Sequence, residues 1–258
     1  MEYGFIRALW GTTKHDGKRY YTRRLKIQND IELVLHNKYQ PKFRTYVFGE
    51  ENYKYLVDMG FDCKLINSDN IVWDMATQQF RHKFEVFKEA AKDFDKFVFL
   101  DWDMIFTSPM PNDFWKTLEK KSTFQAILRI YHRRKALWRK DKTRMIPCGS
   151  FMYIGDKSIP STLIDYWENM GRPWSEEVVA AKYTDDLMGG EFDMEKYWEM
   201  FEPTFFKLQE LYSREKNETK QVCIQHCNER HVRGLLNSIN KGTYEYLQKE
   251  KTIKGINL

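Results

Sequence analysis

Four consecutive apolar residues, Phe97-Val98-Phe99-Leu100, run straight into Asp101-Trp102-Asp103. A strand that is apolar at every position has no solvent side, so it must be buried on both faces. Such a strand belongs in the middle of a mainly parallel sheet covered by helices, and ligands in open α/β sheets bind at the carboxyl edge. The two acids therefore stand where chemistry is expected. The preceding hundred residues agree with this frame. Phe5–Trp10, Thr45–Phe48 and Cys63–Ile66 read as strands, each ended by a turn or a polar break. Residues 18–37, 51–59 and 78–94 read as amphipathic helices between them, with Phe80, Phe84, Phe87 and Ala91 spaced to share one face. Strand–helix alternation of this kind predicts an α/β fold.

After residue 110 the pattern loosens. Phe124–Leu128, Phe151–Ile154 and Gln221–Gln225 read as strands, and 158–170 and 184–201 as helices. With 258 residues and no Gly/Ser/Pro-rich linker, the expected organisation is one compact domain over 1–240 and a Lys-rich helix and tail over 241–258. Within the domain, residues 1–110 form one half and 111–240 the other. The mean hydropathy of −0.69 and the lack of an 18-residue apolar window speak against a transmembrane helix. Met1–Arg7 has no signal-peptide core, so the expectation is a cytoplasmic location (a host cytoplasm if the chain is viral) and reduced thiols for the four cysteines.

In extended backbone, residues two apart project to the same side. Asp101 and Asp103 would repel one another there unless a cation sat between them, and carboxylate oxygens suit Mg²⁺ or Mn²⁺. The competing reading is a strand-end cap with two solvated acids. A second Asp-x-Asp, Asp93-Phe94-Asp95, lies at a helix end and is expected to be solvated.

The apolar strand with Asp-Trp-Asp-Met-Ile behind it resembles the metal-dependent glycosyltransferases of the nucleotide-diphospho-sugar (GT-A) fold. The resemblance implies a mixed, mainly parallel sheet flanked by helices in a single domain. Residues 1–110 would then be the nucleotide-sugar-binding half and 111–240 the acceptor-side half. It implies Asp103 as a direct metal ligand and Asp101 beside it, on the metal or the ribose. Trp10-Gly11-Thr12 resembles the end of the family's opening strand, which meets the nucleotide base. Pro147-Cys148-Gly149-Ser150-Phe151-Met152-Tyr153 is similar, in part, to a segment lining the donor and acceptor sugars. Tyr183-Thr184-Asp185-Asp186-Leu187 resembles the acidic pair facing the reacting sugar, which makes Asp185 and Asp186 the catalytic candidates. The alternative for that pair is a helix N-terminus capped by Thr184.

His226 matches the third metal ligand of glycogenin-like members, which tilts the stereochemistry toward retention. The family's following Gly and Lys are missing here, so Arg230 or Arg233 would supply the charge that grips a diphosphate. Cys223, His226, Cys227 and His231 could instead form a zinc site, but the spacing is not that of a finger.

The net charge of +5 is local. Residues 129–144 carry eight Lys/Arg and one Asp, and the rest of the chain has 34 basic and 36 acidic residues. Tyr131, His132 and Trp138 are interleaved with the cations. This suits an anionic partner such as an acidic glycan or DNA carrying a hydroxymethylated base. The function expected is sugar transfer from a nucleotide-diphospho-sugar, UDP-linked by preference, to an acceptor hydroxyl. The alternative is a nucleic-acid-binding protein that uses residues 129–144 without catalysis. A phosphoesterase or nuclease would need a denser set of His and carboxylate ligands.

Overall fold

The computed structural model describes residues 1–11, 23–35, 37–67, 81–130, 145–173, 175–190, 206–208, 224–226 and 241. Its elements are β1 (Tyr3–Leu9), α1 (Arg23–Val34), β2 (Phe43–Phe48), α2 (Glu50–Asp58), β3 (Asp62–Ile66), α3 (Arg81–Asp93), β4 (Lys96–Leu100), β5 (Met104–Phe106), α4 (Phe114–Lys121), β6 (Phe124–Ile130), β7 (Met145–Ile154), α5 (Ile159–Asn169), α6 (Glu176–Leu187), β8 (Phe206–Leu208) and β9 (Ile224–His226). Six strands form one sheet in the order β3-β2-β1-β4-β7-β6, and β5, β9 and β8 form a smaller one. Strands β1 to β4 run parallel, and β7 is antiparallel to both β4 and β6. The sheet is mixed and mainly parallel, as expected.

The alternation of side chains explains the two-sided core. Ile6, Ala8 and Trp10 share one face with Phe97 and Phe99, packed on Phe84 and Phe87 of α3, Leu163 and Trp167 of α5 and Val179 and Ala180 of α6. Val98 and Leu100 face the other way, against Phe5, Phe106, Phe114 and Phe151. Further along that side, Leu9 and Val47 pack on Ile31, Val34, Leu56, Trp102 and Ile105. Burying each large side chain of β4 contributes about 1.5–3 kcal/mol, which is why an unbroken apolar run tolerates no solvent face. Among the described residues no helix is long and apolar enough to cross a membrane.

The chain winds outward from β1 through β2 to β3, then returns to place β4 on the other side of β1. The carboxyl ends of β1 and β4 thus flank the point where the winding reverses, the position at which such sheets open a crevice.

The structure corrects the start of the helix expected over 184–201, of which residues 191–201 lie outside the described residues. Helix α6 spans Glu176–Leu187. Gly189 (φ 94°) and Gly190 (φ 86°) end it in left-handed backbone, with the Gly190 amide donating to the Asp185 carbonyl at 2.8 Å. The helix begins after Ser175, and Glu176 and Glu177 in its first turn suit the positive end of the dipole. Thr184 is no cap: its hydroxyl donates to the Ala180 carbonyl inside the helix at 2.8 Å. Of the second Asp-x-Asp, Asp95 is solvated as expected, though paired, and Asp93 is mostly covered. Asp93 accepts from Tyr46 at 2.7 Å and Lys64 at 2.9 Å, and Asp95 from Lys157 at 2.9 Å.

Candidate active site

The Asp101-Trp102-Asp103 turn is built on three anchors. The Asp101 amide donates to the Ser150 carbonyl of β7 at 2.9 Å, and the Met104 amide to the Asp101 carbonyl at 3.1 Å. Trp102 is buried and its indole N–H donates to the Ala8 carbonyl of β1 at 2.8 Å. Both flanking carboxylates stay partly exposed at the sheet edge. The large apolar residue between the acids thus drives into the core while the acids remain at the rim.

A lysine and two glutamates converge on this turn. A helix joining parallel strands starts at the carboxyl edge, so α3 begins beside the turn. Lys83 in its first turn is buried, its ammonium 4.9 Å from the Phe99 ring centroid. Its Nζ lies 3.4 Å from Asp101 Oδ2, 2.8 Å from the Gly149 carbonyl and 2.6 Å from Glu176 Oε1. Glu177 accepts from the Gly149 amide at 3.2 Å. Glu176 and Glu177 are 5% and 6% exposed, at a position where unpaired acids would be costly. Gly149 is demanded by crowding: an added Cβ would overlap Glu176 Oε1 and lie 3.0 Å from Lys83 Nζ.

Asp185 and Asp186 are not brought to this turn. They lie in the last turn of α6, about 13 Å along its axis from Glu176. Tyr183 beside them packs on Phe124, which pairs with Ile154, and Ile154 pairs with Phe97 at the amino end of β4. Asp186 accepts from Tyr166 at 2.8 Å and pairs with Lys182. The reason is the shifted helix: it is the amino end of α6, not its carboxyl end, that is linked to Asp101, through Glu176 and Lys83. Sequence reading missed Lys83, Glu176 and Glu177. The signals were a lysine in the apolar stripe of α3 and an acidic pair behind Ser175 at a helix start.

Trp10 and Gly11 lie at the carboxyl end of β1, as expected. The Trp10 ring is 1% exposed, however, stacked on His82 at 5.5 Å. It supports the edge from below and presents no open face. Gly11 has φ 86°, and Asn52 Nδ2 donates to its carbonyl at 2.7 Å. Thr12, Arg230 and Arg233 lie outside the described residues, as do residues 131–144 and, save Lys241, the tail over 241–258. Cys223, Cys227 and His231 of the zinc alternative do too, and Cys63 and Cys148 are free thiols.

Strand β9 pairs antiparallel with β5 and puts His226 opposite Met104, one residue past Asp103. The His226 side chain lies outside the described residues, and among those described no three His, Cys, Asp or Glu side chains gather as a metal site. The carboxylates of Asp101 and Asp103, both partly exposed at the rim, are oxygen donors of the kind that suits Mg²⁺ or Mn²⁺.

No family model matches the sequence, and no curated protein matches it. Solved structures do. The galactosyltransferase LgtC, in complex with donor and acceptor sugar analogues, gives a TM-score of 0.53 at 12% identity over 91% of this chain and 95% of that one. An active-site glutamine-to-glutamate variant of LgtC gives 0.56 at the same identity and coverage. Mouse xyloside xylosyltransferase 1 in its apo form gives 0.47 at 12% identity over 89% of this chain and 99% of that one. At this identity the likeness to LgtC speaks to architecture, and it agrees with the winding of the sheet: the chain has the GT-A fold.

Proposed function

We propose that the chain is a metal-dependent glycosyltransferase moving a sugar from a nucleotide-diphospho-sugar, UDP-linked by preference, to an acceptor hydroxyl. One observation carries this reading: the Asp101–Asp103 turn stands at the reversal point of the sheet with Lys83, Glu176 and Glu177 converging on it. Asp101 and Asp103 would hold the divalent cation, with His226 as third ligand, and the bound ion supplies charge that neutralises the departing nucleoside diphosphate.

The chain's own residues have separable tasks. Lys83 is a fixed cation beside the first acid, oriented by the Gly149 carbonyl and Glu176, and suits the developing charge on a phosphate oxygen. Glu176 and Glu177 take the place expected of Asp185 and Asp186, facing the reacting sugar. Their burial withholds water from the transferred group. Retention is favoured, on the likeness of His226 to the glycogenin-type ligand. In that course the acceptor proton leaves to a phosphate oxygen of the donor. In an inverting course Glu177 is the base. Strands β6 and β7 run past Asp101 to the Ile130–Met145 pair, so the basic segment between them is rooted on the site's side of the sheet. This supports an anionic acceptor, a glycan or a hydroxymethylated DNA base.

The test is release of nucleoside diphosphate from a panel of UDP-, GDP- and TDP-sugars with Mn²⁺, Mg²⁺ or EDTA. The expected result is metal-dependent release from one donor, lost in Asp103→Asn and Glu176→Gln and kept in Asp185→Asn. Silence across the panel together with salt-sensitive binding of duplex DNA would favour the binding protein.

A further inference from the structure

Between Phe5 and Leu9, on the face of β1 away from α3, stands a charged residue. Arg7 is 1% exposed in a strand that is otherwise apolar from Phe5 to Leu9. Its Nη2 donates to the Met104 carbonyl at 3.1 Å. Its guanidinium carbon lies 4.2 Å from the Phe43 ring centroid and 5.1 Å from that of Trp102. Trp102 and Met104 bracket Asp103, so a buried cation holds the residues on both sides of the second acid. Among the described residues Nε and Nη1 have no hydrogen-bond partner, and neither does the hydroxyl of Thr45, its register neighbour on β2.

A buried guanidinium with two unused N–H groups is costly, and an apolar residue of similar volume would serve folding better. What offsets the cost is the field on the turn above. Burial pulls the guanidinium down, Asp103 and then Asp101 oppose it, and the balance stands at about 9; an arginine keeps its proton at neutral pH. Among the described residues it makes no contact ion pair, and its charge acts on both acids across the protein interior.

We propose that Arg7 is a second built-in counter-ion of the Asp101–Asp103 turn, beside Lys83 at Asp101: it holds the two acids in place before a divalent cation arrives and limits how tightly they take it up. This rests on the metal reading above. The sign follows from charge alone. A fixed cation and a mobile one share the same acids, so removing the fixed one loosens the metal-free turn and strengthens metal uptake. A residue that merely filled space would weaken metal binding or leave it unchanged.

The experiment is Mn²⁺ titration followed by electron paramagnetic resonance of the free ion, with melting temperatures measured with and without Mn²⁺. The proteins are wild type, Arg7→Met, Arg7→Gln and Arg7→Lys. Both neutral variants should bind Mn²⁺ tighter by about threefold or more, and Arg7→Lys should stay within about twofold of wild type. The rise in melting temperature on adding Mn²⁺ should be larger in the neutral variants than in wild type. Arg7→Gln keeps a donor for the Met104 carbonyl and carries the test if Arg7→Met does not fold. Equal or weaker Mn²⁺ binding in the neutral variants, with wild-type binding intact, overturns the proposal and leaves the metal reading standing. Absence of wild-type Mn²⁺ binding that depends on Asp103 overturns both.

Discussion

Lys83 is the residue on which the site's geometry depends most. Its ammonium joins α3, β7, α6 and the acid turn in one buried network. Removing it leaves Glu176 buried without its cation, so Lys83→Met should cost about 3–5 kcal/mol in urea unfolding. Adding Glu176→Gln should recover part of that loss, because the double variant no longer buries a lone charge. Additive losses would show that the pair is not coupled. Gly149→Ala should weaken the same network, seen as a lowered melting temperature together with loss of donor turnover, because its Cβ needs the space of the ion pair. At this scale the sequence was partly legible. Asp101 and Asp103 could be read because they interrupt an apolar run. Lys83 and Arg7 carry an equally readable mark, a charge on an apolar face. What that mark is for depends on neighbours far along the chain: Met104 for Arg7 and Glu176 for Lys83.

The elements of the first hundred residues follow from local pattern, and β1, β2, β3, α2, α3 and β4 lie within a few residues of expectation. Apolar periodicity decides them, and each has a turn residue at its end. The second half yields less because its elements are short or begin on tertiary cues. β5 and β8 have three residues each, below the length at which alternation can be recognised, and α4 has eight. Helix α6 was misplaced because Thr184-Asp185-Asp186 mimics a helix start while Gly189-Gly190 marks the true end. The joint between β2, β3 and α3 allows a test by pH. Burial pushes the Asp93 carboxyl up, but Lys64, Tyr46 and Arg44 together hold it below the usual range. A depressed folded pKa contributes stability above the unfolded value and loses it as pH falls through the folded one. Asp93→Asn should therefore cost about 2 kcal/mol at neutral pH. The gap to wild type should narrow below about pH 4, measured by urea unfolding across pH. A gap independent of pH would assign the loss to shape instead of charge.

At the scale of the molecule, the winding of the sheet decides where chemistry can occur. The reversal between β1 and β4 opens one edge, and that edge receives the acid turn, the start of α3, the start of α6 and the Ile130–Met145 end of the β6–β7 pair. The opposite edge carries Asp93, Asp95 and the end of α6, whose acids are tied up in ion pairs and hydrogen bonds. Fold class and the acid turn were legible because both follow from one buried strand. The rest of the site was not, because α6 reaches it only through tertiary packing. If the acceptor is a nucleic acid, replacing Arg133, Arg134 and Lys135 with Ala should flatten the salt dependence of DNA binding by about one to three counter-ions. An unchanged slope would remove the segment from the interface. The central claim, a divalent cation at Asp101 and Asp103 that brings in the nucleotide, is tested most directly by calorimetric titration of UDP. Wild type and Asp103→Asn would be compared, each with Mn²⁺ and with EDTA. The account predicts binding by wild type with Mn²⁺ and loss of it in EDTA or in the variant. UDP binding of equal strength under all four conditions would contradict it.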